Sequence, residues 1–119
     1  MLTAYFAAAL ACANLGDFGG ALVRLERMAR PLAEVEDAQY HARATTTLSW
    51  VWRELGDLPR ARDLAVQATE LVGGQGERSH PAAHAWLALA ECALLAGDEA
   101  EAARLRREAF GADRAARLE

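Results

Sequence analysis

Lysine and isoleucine are absent from this chain, so all thirteen of its basic residues are arginine. Both missing types use AT-rich codons, and their joint absence reports codon usage rather than function. There is no excess of positive charge: 13 basic against 17 acidic residues give a net charge of -4. General affinity for nucleic acid needs a net basic stripe that releases counterions, so that class is excluded. No apolar run approaches the ~18 residues of a membrane span. The apolar start, 1–16, has no basic segment before it and so is not read as a signal peptide. With only two cysteines there is no disulfide framework. Cys12 and Cys92 sit in apolar runs too far apart to bridge in a linear stack, and read as core thiols of a reducing, cytoplasmic compartment. Nowhere does the strict alternation of a strand occur.

What is present is alanine, about a quarter of the 119 residues, and a Gly-Asp pair that recurs. It stands at Gly16-Asp17, Gly56-Asp57 and Gly97-Asp98, with glycines 40 and 41 residues apart. Each pair closes an apolar run and is followed by alanine: Ala21, Ala61 and Ala102. A constant period of this length marks a stacked-repeat architecture, which binds along an extended concave surface. The length fits one domain.

Helical periodicity supplies six segments. Tyr5, Ala8, Ala9 and Cys12 share one face of a first helix over about residues 2–15, ended by Gly16. Asp17 caps a second, with Ala21, Leu22, Leu25, Met28 and Ala29 as its buried stripe and Pro31 as its stop or kink. The second hairpin begins near Asp37, carries Leu48 and Trp52, and turns at Gly56. Asp57 and Pro59 then open a helix with Ala61, Leu64, Ala65, Ala68 and Leu71 on one face, ended by Gly73-Gly74-Gln75-Gly76. A third hairpin starts at Ser79 to Pro81 with Trp86, Leu89, Ala90 and Ala93. After Gly97, Asp98 and Glu101 form a capping-box-like start to a helix bearing Ala102, Leu105 and Ala109. The expected repeats are 1–36, 37–78 and 79–119.

These residues resemble the tetratricopeptide repeat family, whose pattern combines helix-A aromatics, a Gly-Asp turn and small helix-B residues. The third repeat matches through Trp86, Leu89, Ala90, Gly97, Asp98, Ala102 and Ala109. The second matches through Leu48, Trp52, Gly56, Asp57, Ala61 and Ala68, and the first through Tyr5, Gly16, Asp17, Phe18, Ala21 and Leu25. The period is near 40 where the ordinary repeat has 34. Longer hairpins of this kind are similar to those of kinesin light chains and of helical-repeat regions in large bacterial transcriptional regulators. The resemblance implies an all-α, right-handed α-solenoid of three helix hairpins, with Tyr5, Trp52 and Trp86 packed inside the stack.

It also implies a concave groove lined by the first helix of each hairpin. The corresponding positions are Phe6, Leu10, Ala13 and Asn14; Arg43, Thr46, Thr47, Trp50, Arg53 and Glu54; and His84, Leu87, Ala88, Glu91 and Leu94. The peptide-carboxylate clamp of some members needs lysine and asparagine where this chain has Phe6, Leu10 and Thr47, so that specificity does not carry over. Trp50 stands out because it lies two residues from Trp52. Residues two apart on a helix point about 200° apart, so one ring faces the groove unless a neighbouring repeat covers it. Arg43 and Arg53 flank it and can pair with a carboxylate on a bound segment, while Arg53 has Asp57 as an alternative partner at i+4.

The other chemistry-bearing residues read as structural. His80 and His84 have the i, i+4 spacing of a metal pair without a third ligand. Gly74-Gln75-Gly76 follows a helix and precedes no Lys-Ser or Lys-Thr, unlike a phosphate loop. Ser79 has no nucleophile elbow. No catalysis, metal or cofactor is expected, and the expected partner is a protein or peptide segment. Two alternatives stand beside it: a regulatory or sensory repeat fragment of a larger signalling or transcriptional protein, and a self-assembling module. The first helix favours the latter, because Leu2, Phe6, Ala7 and Leu10 leave its outer face apolar, whereas Glu101, Arg104, Arg107, Glu108 and Arg114 are expected to cover the last. Leu118-Glu119 reads as a vector remnant, which makes both ends of the chain expected cut ends.

Overall fold

In the computed structural model, which describes residues 2–73 and 79–118, with side chains for 4–73 and 79–112, every element is an α-helix. They are α1 (Leu2–Asn14), α2 (Phe18–Ala33), α3 (Ala38–Glu54), α4 (Leu58–Leu71), α5 (His80–Leu95) and α6 (Glu99–Leu118). The glycine tract 74–76, the side chain of Leu2 and the side chain of Arg114 lie outside the described residues.

The Gly-Asp pair has a double function that its recurrence alone does not explain. Gly16, Gly56 and Gly97 have φ of 85°, 91° and 85°, the left-handed conformation that L side chains rarely adopt. This curls the chain so that the following aspartate N–H reaches back five residues: Asp17 to the Cys12 carbonyl (2.8 Å), Asp57 to Trp52 (3.0 Å) and Asp98 to Ala93 (3.0 Å). Each glycine N–H donates in the same way to Ala13, Arg53 and Leu94. These paired bonds satisfy carbonyls that a helix end would leave bare. The same aspartates then cap the next helix, Oδ1 accepting from the N–H of Gly20 (2.9 Å), Arg60 (3.2 Å) and Glu101 (3.1 Å). One dipeptide thus stops one helix and starts its antiparallel partner. A methyl group added at Gly56 meets nothing within 4 Å. Gly56→Ala is therefore expected to cost ~1–2 kcal/mol through backbone strain alone, and Gly56→Asn less, in urea denaturation.

Between hairpins, Asp37 Oδ1 accepts from Gln39 and Tyr40 N–H, and His41 Nε2 lies 2.6 Å from the Val35 carbonyl, pinning the link to α3. Ser79 Oγ accepts from Ala82 N–H to open α5. Three local expectations are corrected. Pro31 does not stop α2, which continues to Ala33; in the last turn a missing N–H removes only one terminal bond. Ala29 is exposed, outside the buried stripe. The capping box at α6 is half formed, because the Glu101 carboxylate turns outward to Arg104 (2.6 and 2.9 Å), which holds it below the usual carboxylate range.

The helices pack as sequential antiparallel pairs, α1 with α2, α3 with α4 and α5 with α6. α1, α3 and α5 also touch one another in order, whereas no contact joins α2 to α4 or α4 to α6 among the described residues. The row of first helices is therefore the closed side. Alanine makes these approaches possible: Ala21, Ala61 and Ala102 are at most 1% exposed. At the α3–α4 contact the buried Ser49 hydroxyl donates to the Ala61 carbonyl at 2.7 Å. Two apolar clusters result. One joins the first hairpin to α3 through Phe6, Ala9, Leu25, Met28 and Val51. The other joins the third hairpin to Ala42 and Val72 around Trp86 and Leu105.

Candidate functional site

A depression of about 330 Å³ lies along the row of first helices. It is lined by Phe6 and Leu10 from α1, by Arg43, Thr46, Thr47, Trp50 and Arg53 from α3, and by His84, Leu87, Ala88 and Glu91 from α5. The spacing on each helix is that of a single face. Of the fifteen positions expected to line a groove, eleven meet here; Asn14, exposed at the end of α1, does not. Ala13 is instead buried in the first cluster, and Glu54 and Leu94 are exposed outside the depression.

The roles within the depression differ from those expected. Phe6 is its floor, 8% exposed, with Tyr40 edge-on at 5.8 Å and the Arg43 guanidinium 5.5 Å from its ring centroid. The outer face of α1 is consequently less bare than the sequence implied, and its exposed residues include Ala4, Ala7 and Ala11. Thr47 is also buried, its hydroxyl donating to the Arg43 carbonyl at 2.9 Å. Trp50 is half-buried, set edge-on against Phe18 at 5.8 Å, and presents its remaining surface to the groove.

Trp52 points to the opposite side, into a hollow with Leu22, Leu48 and Leu64, where Arg60 lies 4.3 Å over its ring. It is half-buried, so the tryptophan packed fully inside is Trp86, at 6% exposure. The two neighbouring rings do face apart, but each keeps one side against solvent.

Electrostatics single out Arg53. It does not pair with Asp57, because the helix ends at Glu54 and the glycine turn carries Asp57 away; that carboxylate lies 3.8 Å from Arg60 instead. Neither Arg43 nor Arg53 forms an ion pair among the described residues. The Arg53 Nη1 and Thr46 Oγ1 atoms are shielded from solvent with no hydrogen-bond partner. Glu91, the one acid in the depression, lies 3.8 Å from Arg106 of α6. The groove is thus locally basic on an acidic protein.

Ser49 and Arg53 lie against the Cys92 thiol, and burial pushes that thiol up despite their opposing effect. Cys92 is 1% exposed and Cys12 is half-buried, both free. Iodoacetamide at mildly alkaline pH is expected to modify Cys12 first, with Cys92 protected until the protein unfolds, as read by mass spectrometry. Equal rates for the two would contradict this packing.

A second hollow, about 640 Å³, was not foreseen. It lies between α5 and α6, lined by Ala83, His84, Leu87, Arg106, Arg107, Ala109, Phe110 and Gly111. His84 and Leu87 belong to both hollows, which are therefore contiguous. Phe110 is 69% exposed and interrupts the polar cover expected of the last helix. The available signal was its place beside Ala109, off the Ala102, Leu105, Ala109 stripe. Among the described residues no three His, Cys, Asp or Glu side chains converge as a metal site, and no helix is long and apolar enough to cross a membrane. No protein-family model matches the chain, and comparison with curated proteins finds no similar sequence.

Proposed function

We propose that this chain is a non-catalytic interaction module whose three hairpins form a tetratricopeptide-like solenoid and whose row of first helices takes up a segment of a protein partner. The observation that carries the reading is the convergence of side chains from three helices, far apart in sequence, on one depression with an open tryptophan face. Trp and Arg are the side chains most often found at the energetic centres of interfaces, and the groove holds one tryptophan and two arginines without ion pairs. The contact pattern supports curvature towards this side, since the first helices touch in a row and the second helices stand apart.

The test is affinity capture of partners by the immobilised chain, with Trp50→Ala run in parallel. Proteins held by the native chain and lost with the variant support the reading. Capture unaffected by Trp50→Ala moves the interaction to another surface.

A further inference from the structure

We infer that the groove recognises an extended segment bearing an acidic side chain flanked on both sides by large apolar residues, a reading that rests on the groove being the binding surface. Arg53 is the starting point. A guanidinium nitrogen withdrawn from water without a partner is unusual, because a desolvated cation is costly unless something compensates it. An anion lying along α3 supplies the counter-charge for Arg53. Arg43 adds to the same potential, and the only acid in the groove, Glu91, lies near Arg106. Charge complementarity thus favours an anion at α3, although the whole protein is acidic.

The flanks specify the rest. On the α1 side of Arg53 the wall is Phe6, Leu10 and Trp50; on the α5 side it is Leu87, which opens into the hollow of Phe110. Packed helix axes stand ~8–10 Å apart, and a segment extended as polyproline II advances ~3.1 Å per residue and returns to the same side every third residue. An anchor on each neighbouring helix therefore falls about three residues from the acid. Because the anion site is central and apolar surface lies to either side, the acid belongs to an internal side chain rather than to a chain terminus. This arrangement makes no use of a clamp at Phe6, Leu10 and Thr47.

The experiment is an array of nine-residue peptides, acetylated and amidated, with Glu, Gln or Leu at the centre and each apolar residue in turn three positions either side. A second array leaves the terminal carboxylate free. The full chain is expected to prefer central Glu over Gln by about tenfold, the usual scale of a charge-assisted bond. Arg53→Met should erase that preference and keep the apolar one. The same variant is expected to melt no lower than the native chain, since it removes an unpaired, partly desolvated charge. If Arg53→Met fails to fold, Arg43→Met serves, with a partial loss of the same preference.

Peptides whose binding is lost in Trp50→Ala but which show no preference for central Glu overturn the inference and leave the groove reading in place. Greater gain from a free terminal carboxylate than from central Glu also overturns it, in favour of chain-end recognition. Absence of any binding sensitive to Trp50→Ala overturns both.

Discussion

Trp86→Ala is expected to destabilise the protein by ~3–5 kcal/mol, the usual cost of deleting a buried aromatic side chain. Trp86 is 6% exposed at the centre of the cluster that joins α5 and α6 to Ala42 of α3 and Val72 after α4. Its neighbours are largely alanines, which have no side-chain freedom to refill the space. A domain of this size commands roughly 6–15 kcal/mol in total, and the midpoint should fall by ~12–20 °C. Trp86→Phe is the informative control. The indole N–H has no hydrogen-bond partner, so replacing the ring system with a purely apolar one removes an unsatisfied donor while losing some volume. Its cost is expected to be well under half that of the alanine variant. Comparable losses in thermal melts of the two would mean that shape alone, and not the mixture of shape and polarity, governs this site.

The second large effect separates the two neighbouring tryptophans. Both are half-buried, so Trp50→Ala and Trp52→Ala should each cost ~1–2 kcal/mol of stability, the first through its edge contact with Phe18 and the second through Arg60 over its ring. Melting curves will therefore not distinguish them. Binding will: for any groove-bound peptide, Trp50→Ala is expected to weaken affinity by ~2 kcal/mol, some thirtyfold, and Trp52→Ala to leave it within about twofold. Titration calorimetry of both variants checks this. Equal losses would place the bound segment elsewhere or make the effect one of general loosening.

The Gly-Asp repeats predicted the turns to the residue, and the structure shows why such a signal is legible. A glycine at positive φ, the carbonyls it helps satisfy and the aspartate that caps the next helix all lie within eight residues or so, with no distant partner needed. Ser79 and Asp37 act in the same local way. On α3 and α5 the positions implied by the family resemblance fall on one side, because side chains three and four apart share it.

Other features escaped because their causes lie across helices. Phe6 reads as an outward residue from α1 alone, and becomes a floor only because Tyr40 and Arg43, more than thirty residues on, close over it. Arg53 and Asp57 have the right spacing for an ion pair, but the helix between them ends. Phe110 lies beside a well-formed apolar stripe, and only the placement of α6 against α5 leaves it open over a hollow.

By itself, then, the sequence determined the three Gly-Asp turns, the caps at Asp37 and Ser79 and most of each helix's apolar stripe, since these follow from short-range hydrogen bonding and helical period. Only the tertiary structure decided which aromatic is core, floor or open wall, and which arginine lacks a counter-charge. Those outcomes depend on how closely two helices approach and what the second one presents at the contact, a property of pairs of surfaces that no single stretch of chain contains.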